Sequence, residues 1–564
     1  MWQIAIVLII YLPLVILAGH YLYHVTMHQK TWLDPLLNRV DHVIYKLSGI
    51  KQVDMTGKQY VLALILSNAF MVFVGYFLLR IQSALFLNPN GIDNMEATLS
   101  FNTIISFMTN TNLQHYSGES GLSYFAQMLV ITFMMFTSAA TGYAACMAFC
   151  RRLVAKTDTM GNFFVDFVRV ITRVLLPISI IVAVVLVSQG TPQTLGANET
   201  VQTIEGKMQD IALGPVASLE SIKHIGTNGG GFYGANSTTP FENPTVISNI
   251  VEMLSMMLLP GACVVAFGLM VAYRRKKTIF GKQGLAIFAA MSILLLIGVV
   301  TCYVAERSGN PIISDLGITQ ELGSMEGKEM RFGVAQSSLF TVVTTAFTTG
   351  SVNNMHDTLT PIGGLVSMFN MMLNVVFGGK GVGLMNMMMY VLLTIFIACL
   401  MIGRTPQFLG KKIEEKEMKL IALCILIHPA IILLFSALAV GTSVGVAGIT
   451  NPGAHGLSQV LYEFASSSAN NGSGFEGLAD NSTFWNVSTG LAMFFGRYLT
   501  IIIQLAIASL LAKKMWHSDS VGTLKTDNAM FTFLLVATVL MIGALTFLPA
   551  LALGPITEHL QIRS

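Results

Sequence analysis

The sequence predicts an all-α integral membrane protein. Ten transmembrane helices are expected, eight of them paired around four short helix–loop segments in pseudo-fourfold repeats, with one further helix at each end. Three observations carry this: a shortage of charge, ten long apolar runs, and one Thr/Asn/Gly/Ser string recurring four times at a near-constant spacing. Of 564 residues, 53% are hydrophobic and 11% charged, where a soluble domain carries about 25% charged residues. The mean hydropathy is +0.66. Only a solvent as apolar as lipid suits that composition. The net charge of +3 is too small and too scattered to attract nucleic acid.

A spanning helix takes roughly 20 apolar residues, and ten runs qualify. They are Ile4–Tyr23, Tyr60–Leu79, Leu122–Ala148, Phe163–Val187, Val246–Ala272, Leu285–Ala305, Leu365–Met401, Leu420–Val440, Val487–Leu511 and Phe531–Leu551. The first has no basic residue before it and no small-residue cleavage site, so a retained span is expected rather than a signal peptide. The seventh is too long for one helix, and Gly378-Gly379-Lys380-Gly381 interrupts it.

Lysine and arginine set the orientation. They collect after the odd-numbered spans: Lys30, Arg39, Lys46, Lys51 and Lys58; then Arg151, Arg152 and Lys156; then Arg274, Arg275, Lys276, Lys277 and Lys282; then Arg404, Lys411, Lys412 and Lys416; then Lys513, Lys514 and Lys525. The alternate loops are longer and mixed in charge. Both termini are therefore expected outside the cell.

The connections after spans two, four, six and eight hold the four strings. They read Thr109-Asn110-Thr111-Asn112, Thr227-Asn228-Gly229-Gly230, Thr348-Thr349-Gly350-Ser351 and Asn470-Asn471-Gly472-Ser473. Each follows an apolar stretch too short to cross a bilayer. Aligned on the third residue, they stand 118, 121 and 122 residues apart, an internal repeat of span, loop and span. The chain then divides into an N-terminal helix and loop (1–58), pore repeats at 59–152, 153–277, 278–412 and 413–514, and a C-terminal helix (515–564).

Irregular backbone at membrane depth survives only when buried in protein or lining water. A half-helix entering the membrane aims its negative C-terminal end inward, which favours a cation there. Pro215 fits the first turn of the second such helix. Glycine allows successive carbonyls to face one axis, and four such segments replace the water around a potassium ion.

At these residues the sequence resembles the A subunit family of the Kdp potassium-transporting ATPase, in the superfamily of potassium transporters. Thr109 to Tyr116, Thr227 to Phe232, Phe347 to Asn353, Asn470 to Phe475 and the stretch Phe377 to Gly383 carry the likeness, which extends over essentially the whole chain. The resemblance implies a subunit that binds extracellular potassium in a filter and passes it through an intramembrane tunnel. The receiver is a B subunit, a P-type ATPase that hydrolyses ATP; a C subunit and often a small F subunit complete the complex in the bacterial inner membrane. It also implies that Gly229, Gly350 and Gly472 are filter glycines, with Thr111 in the first quarter, and that Gln114 bears on potassium affinity. A potassium channel or a Trk/Ktr-type uptake subunit is the alternative.

Two cationic residues lie inside apolar sequence, where charge is expensive and usually faces a water-filled path. Lys380 is expected in a loop controlling passage below the filter, or in a structural pair. Arg497 is expected to oppose cation leak towards the cytoplasm, or to form a plain ion pair. Glu220 and Glu463 lie in the second and fourth short segments, where stabilising their helices is preferred over concentrating cations. His115, His224 and His356 lie near strings but lack metal-ligand spacing, so no metal other than potassium is expected. The six cysteines read as buried apolar residues. No phosphate-binding G-x-x-x-x-G-K-[ST] loop, no Asp-Lys-Thr-Gly and no H-E-x-x-H is present. No organic cofactor and no catalysis are expected on this chain.

Overall fold

The computed structural model describes residues 2–154, 159–274, 281–518 and 523–564. Lys156, Arg275, Lys276 and Lys277, and the expected repeat boundary at 277, lie outside the described residues. Among the described residues ten helices are long and apolar enough to cross a membrane, and each matches one of the ten apolar runs. In chain order the helices used below are α1 (Trp2–Thr26), α2 (Asp34–Leu47), α3 (Gly57–Arg80), α4 (Ala97–Met108), α5 (Ala126–Val154), α6 (Phe163–Gln189), α7 (Val216–Ile225) and α8 (Val246–Tyr273). They continue as α9 (Lys282–Arg307), α10 (Gly333–Ala346), α11 (Pro361–Leu373), α12 (Val382–Met401), α13 (Glu415–Val440), α14 (Ala454–Ala469), α15 (Thr483–Ala512), α16 (Ala529–Leu551) and α17 (Thr557–Arg563). Among the described residues the strands form two short antiparallel hairpins, Glu199–Gln202 with Met208–Ile211 and Gln407–Phe408 with Lys411–Lys412.

Polar residues set where the spans begin. Thr56 and Gln59 close a capping box on α3, and Ser482 and Asn528 accept backbone N–H groups at the starts of α15 and α16. The long seventh run is two helices. α11 ends on Asn374 at φ 49°, and the segment to Gly381 is irregular before α12 begins. Pro215 stands one position earlier than expected, as the residue preceding α7. α2 has no counterpart among the apolar runs. Buried Asp34 and Asp41 pin it to Arg173 of α6 at 3.0 and 2.6 Å.

The connections sort onto two sides. Met55 and Gly161 share a backbone bond, Lys411 donates to the Arg152 and Leu153 carbonyls, and His517 donates to the Gly410 carbonyl. These gather the basic connections after spans one, three, seven and nine. On the other side Asn90 donates to Asn198, Arg331 to the Pro244 carbonyl and Asp357 to Glu476. That second side carries α4, α7, α10 and α14, and we call it the string side.

Candidate functional site

Four short helices, α4, α7, α10 and α14, each lead into one string. Past their ends the N–H groups of Thr111, Asn228, Thr349 and Asn471 donate to the carbonyl five residues back, at 2.9, 2.8, 2.8 and 2.9 Å. The preceding residues, Asn110, Thr227, Thr348 and Asn470, have φ of 62°, 38°, 50° and 57°. A left-handed residue there turns the chain out of the helix, and a short polar side chain tolerates the conformation best. Shared bonds and shared dihedrals fix the register of the four strings against one another.

That register corrects the sequence alignment in the first quarter. Asn112, not Thr111, stands where the others have Gly229, Gly350 and Gly472, while Thr111 matches Asn228, Thr349 and Asn471. The error has a plain source. Thr-Asn occurs twice in succession in the first string, so letters alone allow two registers, whereas only one places Asn110 in the turn.

The backbones of the strings meet. A Cβ added at Gly229 would lie 2.5 Å from the Thr349 carbonyl oxygen and 2.8 Å from those of Asn471 and Thr111. One at Gly230 would lie 2.7 Å from the Asn112 carbonyl oxygen and 2.8 Å from Gln114 Oε1. The added atom at Gly350 would strike Asn471, and at Gly472, Thr111. Main-chain oxygens from three strings thus crowd round the fourth with no side chain between them.

Amide side chains lash the strings together. Asn110 Nδ2 donates to the Thr227 carbonyl at 2.6 Å, Asn228 Nδ2 to Asn110 Oδ1 at 3.0 Å, and Asn470 Nδ2 to Thr111 Oγ1 at 2.9 Å. Asn471 Nδ2 donates to the Thr344 carbonyl at 2.8 Å. Gln114 clamps Gly231 from both sides, accepting its N–H at 2.8 Å and donating to its carbonyl at 3.0 Å. Gln114 therefore holds the second string in place. Thr109 Oγ1 returns to its own helix, Ser351 Oγ meets His224, Ser473 Oγ meets Tyr462, and Thr348 Oγ1 meets Asn374. Both polar atoms of the Asn112 amide, and Thr349 Oγ1, are buried without a protein partner. Buried polar atoms are seldom left so, and these lie among the converging strings.

Lys380 sits beneath. It is 2% exposed. Its N–H donates to Thr227 Oγ1 at 3.1 Å, and its ammonium donates to Asn110 Oδ1 at 3.1 Å and to the Gly226 carbonyl. The charge thus rests on the carbonyl end of α7. Positive φ at Asn374, Phe377, Gly378 and Gly381 shapes the loop that brings it there. Arg497 of α15 lies over Gly142 of α5, where a Cβ would approach Nη2 to 2.5 Å. Neither cation has a carboxylate within ion-pair distance among the described residues; Lys380 takes the Gly226 carbonyl and Asn110 Oδ1 instead, the kind of partner a structural pairing also allows. A small cavity of about 40 Å³ lies beside the start of string four, lined by Asn374, Asn386, Tyr390, His428, Asn470 and Thr500.

Charged residues also support the strings from behind. Lys223 pairs with Glu220 and Ser237, and Ser237 Oγ donates to the Gly230 carbonyl at 3.1 Å. Glu242 accepts from the Phe232 N–H at 2.5 Å. Glu463 faces His115 at 3.3 Å. Both carboxylates singled out in the sequence, Glu220 and Glu463, thus take buried partners. Burial and then the Lys328 charge pull His356 down to about 3, and its Nδ1 meets the Tyr462 hydroxyl at 2.6 Å. Asn236, which donates to the Gly472 carbonyl at 3.2 Å, and Lys223 and Glu242 have no signal in the string pattern. Only the buried charge in an apolar stretch marks Lys223.

A sequence model described as the potassium-transporting ATPase A subunit matches residues 5–560. The chain belongs to that family. A relative from Clostridium acetobutylicum, named potassium-transporting ATPase potassium-binding subunit, is 59% identical over 99% of both chains. A namesake from Geobacillus kaustophilus is 55% identical over 98% of both. A Staphylococcus aureus protein, potassium-binding subunit 2, is 53% identical over 100% of both. The solved potassium transporter TrkH from Vibrio parahaemolyticus superposes with a TM-score of 0.54 over 89% of this chain and 98% of its own, at 14% identity. That likeness is one of fold.

Proposed function

We propose that this chain is the potassium-binding and translocating subunit of an ATP-driven potassium uptake pump. One observation carries the reading: carbonyl oxygens of Thr111, Thr349 and Asn471 crowd round Gly229. Oxygens so placed stand in for the hydration shell of a bare potassium ion. Thr109 to Asn112, Thr227 to Gly230, Thr348 to Ser351 and Asn470 to Ser473 form the filter. Gln114 sets its spacing by holding Gly231.

Below the filter, Lys380 occupies the carbonyl end of α7 and controls passage. Arg497 opposes flow to the basic side, which we take as cytoplasmic, with both termini outside a bacterial inner membrane. Two cations under the filter disfavour a simple channel, because each repels the passing ion. The ion instead leaves sideways through the cavity beside string four. ATP is used by a partner P-type ATPase of the B subunit kind, with C and F subunits completing the complex. This chain holds no phosphate-binding motif and supplies no catalytic group.

Potassium-stimulated ATP hydrolysis by the co-purified complex tests the reading. Gly229→Asp puts a carboxylate among carbonyl oxygens and is expected to shift the half-stimulating potassium concentration by on the order of a hundredfold, a cost of about 2.7 kcal/mol. An unchanged value removes the filter assignment.

A further inference from the structure

Away from the filter oxygens, a second set of ligand atoms converges on the string side. His115 follows the first string, Glu463 lies in α14, and Asp480 lies in the loop before α15. One atom of each stands within 4.8 Å of the others. His115 is more than 300 residues from the two acids, and Asp480 lies in a loop 17 positions beyond Glu463, so spacing gives no hint of them. His115 and Glu463 are buried, whereas the Asp480 side chain is 26% exposed. The set is open on one side.

Asn486 decides which ring nitrogen faces the acids. Its Nδ2 donates to Thr98 Oγ1 at 3.2 Å and to Asn481 Oδ1 at 3.4 Å, which turns Oδ1 towards His115. Oδ1 lies 2.7 Å from His115 Nδ1 and can only accept, so Nδ1 carries a hydrogen. Nε2 then points at Glu463 Oε1, 3.3 Å away, and at Asp480 Oδ2, 3.8 Å away. In a neutral ring Nε2 is a lone pair, and a lone pair facing two carboxylates is repulsive. A shared cation relieves it.

The rival occupants are a proton and a metal ion, and the distances separate them. A charge-assisted N–H···O bond runs to about 2.7–2.9 Å, and both contacts are longer. Two ligands each about 2.0–2.1 Å from a tetrahedral zinc ion stand about 3.3–3.4 Å apart, close to the shorter contact. A metal-bound histidine also donates its other N–H to a carbonyl or carboxylate, the role Asn486 fills. We propose that His115, Glu463 and Asp480 form a divalent-metal site of the zinc class, with its remaining position open beside Asp480. The ion ties the segment after string one to α14, the helix that leads into string four.

The other cluster of this kind, Glu220, His224 and Glu252, does not offer the same chemistry. Lys223 already neutralises Glu220, and His224 Nε2 is bonded to Ser351 Oγ at 2.9 Å. All three residues are fully buried.

The test uses the full-length chain in the assembly in which it purifies, stripped by a chelator and titrated with zinc against a fluorescent competitor. The parent is expected to take up one zinc per chain. His115→Gln and Asp480→Asn are each expected to weaken uptake at least tenfold. X-ray absorption of the zinc-loaded parent is expected to report one histidine nitrogen among oxygen ligands. Failure of the parent to bind stoichiometrically overturns the site whatever the variants do. So does binding that survives both substitutions, or a ligand shell with two histidines or sulfur. Because zinc uptake is read independently of potassium stimulation, its failure leaves the transport reading standing.

Discussion

Asn112 shows what a single residue adds to the site. It takes the place held by glycine in the other three strings, at φ 60°, and Asn is among the few residues that adopt this conformation at small cost. The first string therefore carries an amide where its counterparts carry a hydrogen atom. In the proposed reading, Lys380 and Arg497 oppose a passing ion through their charge. A unit charge a few ångströms from a passing ion opposes it by about 4 kcal/mol at an effective dielectric of 20. Arg497→Ala is accordingly expected to raise passive potassium flux through the reconstituted complex by on the order of tenfold or more, with ATP hydrolysis running uncoupled. Tight coupling with no added flux would assign Arg497 a packing role over Gly142. The strings themselves were legible in the sequence because polar turn residues repeat inside apolar surroundings. Their register was not, since it depends on backbone bonds to Ser106, Lys223, Thr344 and Ser466 that no letter announces. Nor were Asn236 and Asp480, whose partners lie far away in the chain.

Elements are held by buried charge as much as by apolar packing. Asp166, at the start of α6, accepts from Arg151 of α5 at 2.9 Å and from the Tyr60 hydroxyl of α3 at 3.0 Å, and meets His28 at 3.1 Å. Removing one partner of such a set leaves a buried charge uncompensated, at about 3–5 kcal/mol. Asp166→Asn should lower the melting temperature of the purified protein clearly; an unaltered melting curve would show that the three helices are held by apolar contact alone. A second set fastens α17. His455, at the start of α14, lies between Asp357 and Glu558 at 3.1 and 2.8 Å. Burial lowers its pKa, but the hydrogen bonds it donates to these two carboxylates outweigh that and lift it from 6.5 to about 10. A folded pKa above the unfolded one gives stability that is complete below about pH 6.5 and is lost as pH rises through about 10. Amide exchange of residues 557–563, corrected for intrinsic rate, should accelerate across that window; constant protection would refute the link. The ten spans were readable from length and apolarity, and the broken seventh from its glycines. α2 was not, because its attachment rests on Arg173 meeting Asp34 and Asp41 rather than on an apolar run.

At the scale of the whole molecule, alternate connections are gathered on opposite sides, and the string side brings four helix ends to one point. Each of those ends contributes negative potential from its unsatisfied carbonyls, and each string adds peptide oxygens. No single quarter makes a site, because the oxygens around Gly229 come from the other three. This is why a sequence repeat, weak in any one copy, was informative in four. Locating a bare cation by its scattering tests this most directly. Crystals of the assembled complex, soaked in rubidium or thallium in place of potassium, should give an anomalous peak ringed by the carbonyl oxygens of Thr111, Asn228, Thr349 and Asn471. No peak there, with the ion found against side chains elsewhere on the string side, would contradict the account.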